Sequence, residues 1–199
     1  LDKKKIIKNK RLNVGDVCFG SKDISNSFVL NDFTKVTSKK EFNNIINPSD
    51  LIRIAIFDLW VDNMDRGKYI EPGFNYNLLI ESESQKEKIV AFDHGFIFGG
   101  VSRIPIFNER LPTDKSNKLY SSPYFIEVIK HFSKIEFDLI ANNFIHLLSK
   151  GYEKEIQNVF RQIPEAWGIP YKLSDQIVKY LSSKQRLEEI RTIILHSKS

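Results

Sequence analysis

Nine of the eleven residues from Leu51 to Val61 are apolar, and no other stretch limits the fold as much. A helix apolar on nearly every side belongs in the middle of a domain, not on its edge. A buried strand of that length would be long, so the run is expected to be a central helix. Its start is marked by "NPSD" at 47–50. Pro48 restrains Asn47 to an extended form, and Ser49 or Asp50 is positioned to cap the free amides that follow. A core built around such a helix needs a large apolar complement. The 199 residues supply it, with 15 Phe, 7 Tyr and 2 Trp.

Elements on either side follow from periodicity and turn residues. Residues 1–47 read as an irregular, linker-like segment with short strands, the candidates being "DVCFGS" (16–21) and "SFVL" (27–30). The stretch "GKYIEPGF" (67–74) holds two Gly and a Pro and reads as loop. "NLLIES" (77–82) and "KIVAFDHG" (88–95), separated by "ESQKE", read as a β-hairpin. Residues 99–121 form a long irregular segment, of the kind that is usually functional or mobile. Helical spacing then recurs at 122–133, 136–151, 153–163, 173–183 and 184–197, with Gly151 as a helix stop. The expected class is α+β, mostly α: a buried helix, a hairpin carrying polar residues, and a helical bundle. Phe125, Phe132, Phe137, Phe144, Phe160 and Tyr180 fall at helical spacing and are assigned to the core, as are Trp60 and Trp167.

Several function classes drop out. No run of 18 apolar residues occurs, so no membrane span is expected. Cys18 is the single cysteine, which rules out an internal disulfide and fits a reducing, cytoplasmic setting. It is expected to be a buried structural thiol. The net charge of +5 favours anionic partners. The cations are dispersed, however, with local density only at 3–11 and 35–40, and read as solvated surface rather than a nucleic-acid patch. His131 and His146 lack metal-ligand spacing, and no zinc or hydrolase-triad motif is present.

What remains is a set of polar residues at the ends of apolar segments. Asp65 lies just past the buried helix, where a rigid element can aim it. Asn75 and Asn77 precede the first strand of the expected hairpin, and Asp93 ends the second, so Asn77 and Asp93 should be neighbours. Phosphoryl transfer requires a carboxylate to orient the attacking hydroxyl and take its proton. It also requires an amide oxygen and a second carboxylate to hold Mg²⁺. The chain order Asp, Asn, Asp matches that need. Each member also has a plainer reading: Asp65–Arg66 as a surface ion pair or helix-end cap, the asparagines as turn formers, and Asp93-His94-Gly95 as a strand-ending turn.

The segments "FDLWVDNMDR", "NYNLLI" and "KIVAFDHG" together resemble the HipA-like kinase family. In that family a helix ends in Asn-x-Asp-Arg, followed by Asn-Pro-Asn-Leu-Leu and a strand ending in Ile-Asp-His-Gly. "QIPEAWG" (162–168) is similar to its helical tail, so the resemblance extends over roughly residues 15–190. It implies a protein-kinase-like C-lobe over 48–199, with Asp65 as catalytic base. Asn77 or Asn75, with Asp93, would be the Mg²⁺ ligands, and Asn63 and Arg66 would support the loop. It implies ATP and a protein substrate with a Ser or Thr hydroxyl. The chain departs from the pattern at Gly67, at Tyr76, at His94 and in a longer gap between Asp65 and Asn75. Residues 1–47 are too short for an N-lobe, and no nucleotide lysine is assignable. The N-lobe is therefore expected upstream or on a partner chain. The alternative is an inactive kinase-like binding or scaffold module.

Overall fold

The computed structural model describes residues 23–100, 107–110, 112–116, 118–165, 168–170 and 172–198. The expected strand at 16–21, Cys18, Trp167 and the basic run at 3–11 lie outside the described residues, as do parts of 99–121 and of 162–168.

The chain is mixed α+β and mostly helical. In order, it forms β1 (Ser27–Val29), α1 (Lys39–Asn44), α2 (Pro48–Trp60), β2 (Lys68–Ile70), β3 (Gly73–Asn75), β4 (Leu78–Glu83) and β5 (Lys86–Ala91). Then come α3 (Pro123–Ile129), α4 (Lys134–Leu148), α5 (Glu153–Gln162), α6 (Leu173–Leu181) and α7 (Lys184–His196). Short 3-10 turns occupy Ile97–Gly99 and Leu119–Ser121.

The apolar run is indeed a helix, α2. Leu51, Ile52, Ala55, Ile56 and Leu59 are buried. They recur at helical spacing and face α4 and α7, which also pack on each other. Pro48 takes the first helical position, where its missing N–H is no loss. Ser49 and Asp50 do not cap, contrary to expectation. Asn47 holds the cap position without a side-chain cap bond. Both expected caps instead accept from Arg53, one turn along. The Asn47 side chain is engaged elsewhere: its Nδ2 donates to the Ile89 carbonyl at 2.9 Å and its Oδ1 accepts the Ile89 N–H at 2.8 Å. It thus pairs with the outer edge of β5 as a strand backbone would.

The hairpin forms as expected, in the order β1-β4-β5, all antiparallel. Its turn is shorter than the sequence suggests. Only Ser84 and Gln85 turn, both with positive φ (49° and 70°), which matches the twist of a two-residue hairpin. The charged residues beyond the apolar pattern still pair, because the hairpin tip is solvated and needs no apolar face. Glu81 and Lys88 face each other there at 3.6 Å.

Two elements were not expected. The loop at 67–74 is a second hairpin, with Tyr69 opposite Phe74 and their rings 5.2 Å apart. Its strands are three residues each, too short to show alternation, and Gly73 and Pro72 sit at its turn. Asp32 accepts the Phe74 N–H at 3.0 Å and ties this hairpin to the first segment. Helix α1 has only Phe42 buried, so it carries no stripe. Its start is set by a capping box between Ser38 and Glu41. The five expected helices form as α3 to α7, each somewhat shorter. Gly151 follows α4 with φ 74°. Phe125, Phe137 and Tyr180 are fully buried, and Phe132, Phe144 and Phe160 pack against the core. Trp60 is buried, with Nε1 donating to the Leu181 carbonyl at 2.9 Å. Among the described residues no helix is long and apolar enough to cross a membrane.

Candidate functional site

The last turn of α2 carries Asp58, which has no exposure at all. A buried carboxylate is tolerated only when paired and hydrogen-bonded. Its Oδ1 accepts from Arg66 Nη1 at 2.5 Å and from Asn63 Nδ2 at 3.0 Å. The other oxygen, Oδ2, is buried without a hydrogen-bond partner among the described residues. Burial pushes the Asp58 carboxyl up to about 6, against the pull of Arg66, Asn63 and Lys118.

Arg66 is itself fully buried. The surface ion pair with Asp65 that its position suggests is therefore not formed; its partner is Asp58, eight residues back. The rest of the guanidinium is spent on the hairpin. Nε donates to the Asn77 carbonyl at 3.3 Å and Nη2 to the Phe92 carbonyl at 2.6 Å. One planar fork thus joins the end of α2, the start of β4 and the end of β5, a task that suits arginine and not lysine. His94 Nε2 lies 3.4 Å from Nη2, and its ring meets Phe57 edge-on. Burial, and then the Arg66 charge, lower the His94 pKa, while Asp93 opposes them. His94 therefore contacts Arg66.

Asn63 and Asp65 complete the loop. The Asn63 side chain donates to Asp58 and accepts the Asp65 N–H at 3.2 Å, a turn that fixes the Asp65 backbone. The half-buried Asp65 presents Oδ2 to Asn77 Nδ2 at 2.6 Å. Asn77, and not Asn75, thus makes the contact with Asp65. Asn75 lies on β3 opposite Lys68, and its carbonyl accepts the Gly67 N–H at 2.7 Å. Asp93 follows directly on Phe92, whose N–H donates to the Asn77 carbonyl at 3.1 Å. The ladder therefore sets Phe92 opposite Asn77 and leaves Asp93 one residue beyond that pair. Asp93 is exposed, and among the described residues Oδ1 accepts only the local Gly95 N–H, at 3.2 Å.

Asp62, Asn77 and Asp93 all adopt left-handed backbone conformations, with φ of 49°, 47° and 51°. Asx residues bear this better than others, and such positions cluster at ligand sites. Asn77 Oδ1 and the Asp93 carboxylate are oxygen donors of the hard kind that Mg²⁺ prefers. Among the described residues no group of three or more His, Cys, Asp or Glu gathers as a metal cluster. The donor set here is an amide and acids.

Three contributors lie outside the site residues that the sequence singles out. Asp58 could have been suspected as the one acid inside the apolar run. Lys118 is 1% exposed and donates to the Asn63 carbonyl at 2.6 Å and to Asp62 Oδ1 at 3.3 Å. Arg186 on α7 donates to the Leu59 and Trp60 carbonyls at 2.9 and 3.0 Å and stacks on Tyr180. It thereby gives two C-terminal carbonyls of α2 a charged side-chain partner. Its other arm donates to Thr113, which donates to Glu189.

A family model described as HipA-like kinase matches residues 2–121, more than half of the chain. The match takes in Asp58, Asn63, Asp65, Arg66, Asn77, Asp93 and Lys118, and stops before α3. No curated protein and no solved structure matches the chain.

Proposed function

The chain belongs to the HipA-like kinase family, and on that premise we propose that it serves the transfer of the ATP γ-phosphoryl group to a Ser or Thr hydroxyl of a protein. Asp65 is the base that orients the hydroxyl and accepts its proton. Asn77 and Asp93 hold Mg²⁺, which would neutralise charge on the phosphates. Asn63 and Arg66 set the loop. The lobe that carries them begins at α2.

The observation that carries this reading is the 2.6 Å bond between Asp65 Oδ2 and Asn77 Nδ2. It holds one carboxylate oxygen and leaves Asp65 Oδ1 to meet a hydroxyl. It also turns the Asn77 amide so that Nδ2 is used and Oδ1 is available to a cation. A proton-accepting group must be aimed before it can act, and Asp65 is aimed twice: at its backbone by Asn63 and at its side chain by Asn77. Burial of the Asp58–Arg66 pair beneath keeps that arrangement from relaxing when substrate binds.

The test is radiolabel transfer from ATP by the full-length natural protein. Asp65→Ala should lower turnover by roughly 10²–10⁴-fold, and Asp93→Asn should weaken Mg²⁺-dependent labelling. Labelling by Asp65→Ala at the wild-type rate would remove the assignment. A Mg-ATP thermal shift that survives without any transfer would favour a binding module instead.

A further inference from the structure

The turn at Leu119–Ser121, with Lys118 before it, lies directly against the candidate catalytic loop. Two independent contacts make that junction. Lys118 inserts a fully buried ammonium group and donates to the Asn63 carbonyl at 2.6 Å, with Asp62 at 3.3 Å and Asp114 at 4.0 Å. On the other side, Gly67 has φ 85°, and a Cβ there would overlap the Lys118–Leu119 backbone. The close approach of the 118–119 peptide accounts for a glycine there, since any side chain would drive the segment away.

The bonded groups matter. Asn63 carries the turn that fixes the Asp65 N–H, and Asp62 sits in the left-handed conformation that turns the chain out of α2. Lys118 therefore grips the two residues whose geometry decides where Asp65 points. The segment that supplies it is anchored again through Thr113 to Arg186, so the grip is backed by α7 and by the end of α2.

Resting on the kinase reading, we infer that Lys118 is a positioning residue for Asp65, and that docking of the 118–121 turn against Gly67 sets the competence of the loop. An ammonium with three donors fits this task. It donates to a carbonyl and to the Asp62 carboxylate, with the Asp114 charge 4.0 Å away, and methionine of similar length does neither.

The experiment compares Lys118→Met, Lys118→Arg and Gly67→Ala with wild type in the full-length protein, by hydrogen–deuterium exchange and by steady-state phosphoryl transfer. Lys118→Met and Gly67→Ala should raise exchange at 61–67 and leave α4 protected. The kcat should fall by about 10²-fold, the scale of a small misplacement of a reacting group, with the KM for ATP little changed. Lys118→Arg should recover most of both. Unaltered exchange at 61–67 in Lys118→Met and Gly67→Ala, or a rise spread equally over α4, overturns the inference. So does a loss carried wholly by KM. Exchange that responds as expected in a wild-type protein that transfers no phosphate sinks the kinase reading instead, and with it the catalytic meaning of the anchor.

Discussion

The two acids of the site are held in opposite ways. Asp65 sits on a loop fixed from beneath by Asp58–Arg66, from the side by Lys118 and at its carboxylate by Asn77. Arg186 closes the helix that leads into it. Asp93 is exposed and accepts one bond from its own turn. In the proposed roles, the proton acceptor is the acid fixed before substrate arrives, and the Mg²⁺ ligand is the acid free to adjust to the ion. The contrast is between a loop whose geometry comes from the fold and a turn whose geometry a bound ion can complete.

The largest test of this contrast is stability without ligand. Arg66→Met breaks a buried pair and strands Asp58, and should cost roughly 3–5 kcal/mol in chemical denaturation. If it does not, the loop is not fixed in the way described. A second test uses pH. The folded-state value of Asp58, about 6, lies above that of an unfolded carboxylate. The group therefore adds stability that is fully present below about pH 4 and lost as pH rises through 6, about 3 kcal/mol in all. Asp58→Asn should remove that slope from the pH profile. Glu41 and Glu136 act in the other direction. Backbone N–H bonds from Ser38 and Thr37, and from Ser133, lower their pKa values, so their contribution is present above the ordinary carboxylate range and lost as pH falls. It is common to both proteins and cancels in the difference.

The third test adds ligand. With Mg-ATP at a hundred times its Kd, wild type should gain about 2.7 kcal/mol, seen as a raised melting temperature, and Asp93→Asn should lose most of that gain. The smallest effect is the same substitution without ligand. Exposed and lightly bonded, Asp93→Asn should change stability by no more than about 0.5 kcal/mol. A loss matching that of Arg66→Met would erase the distinction between the two acids.

What could be read from the sequence was local. The buried helix, the β4–β5 hairpin and the five later helices show in periodicity. The Asp65, Asn77 and Asp93 order shows because each stands at the end of an apolar segment. The pairing of Asn77 with Asp65 could not be separated from the same role for Asn75, because the β2–β3 hairpin between them is too short to leave a pattern. The supports were hidden for a different reason. Lys118 meets Asn63 across 55 residues and Arg186 meets Leu59 across 127. Only packing brings them together, and a lone cation in a polar stretch looks like surface. Arg186 had one legible sign: it falls on the stripe of Leu187, Ile190 and Ile194, where a charge must be satisfied inside.

Asn47 gives the arrangement a mechanical character. Its side chain stitches the first turn of α2 to β5, while Arg66 rivets the far end of the same helix to the strand ends beyond. A rod fastened to one plate at both tips cannot pivot on it. Any rocking of the hairpin must carry the helix along as a single lever, and the loop that Arg66 holds goes with both.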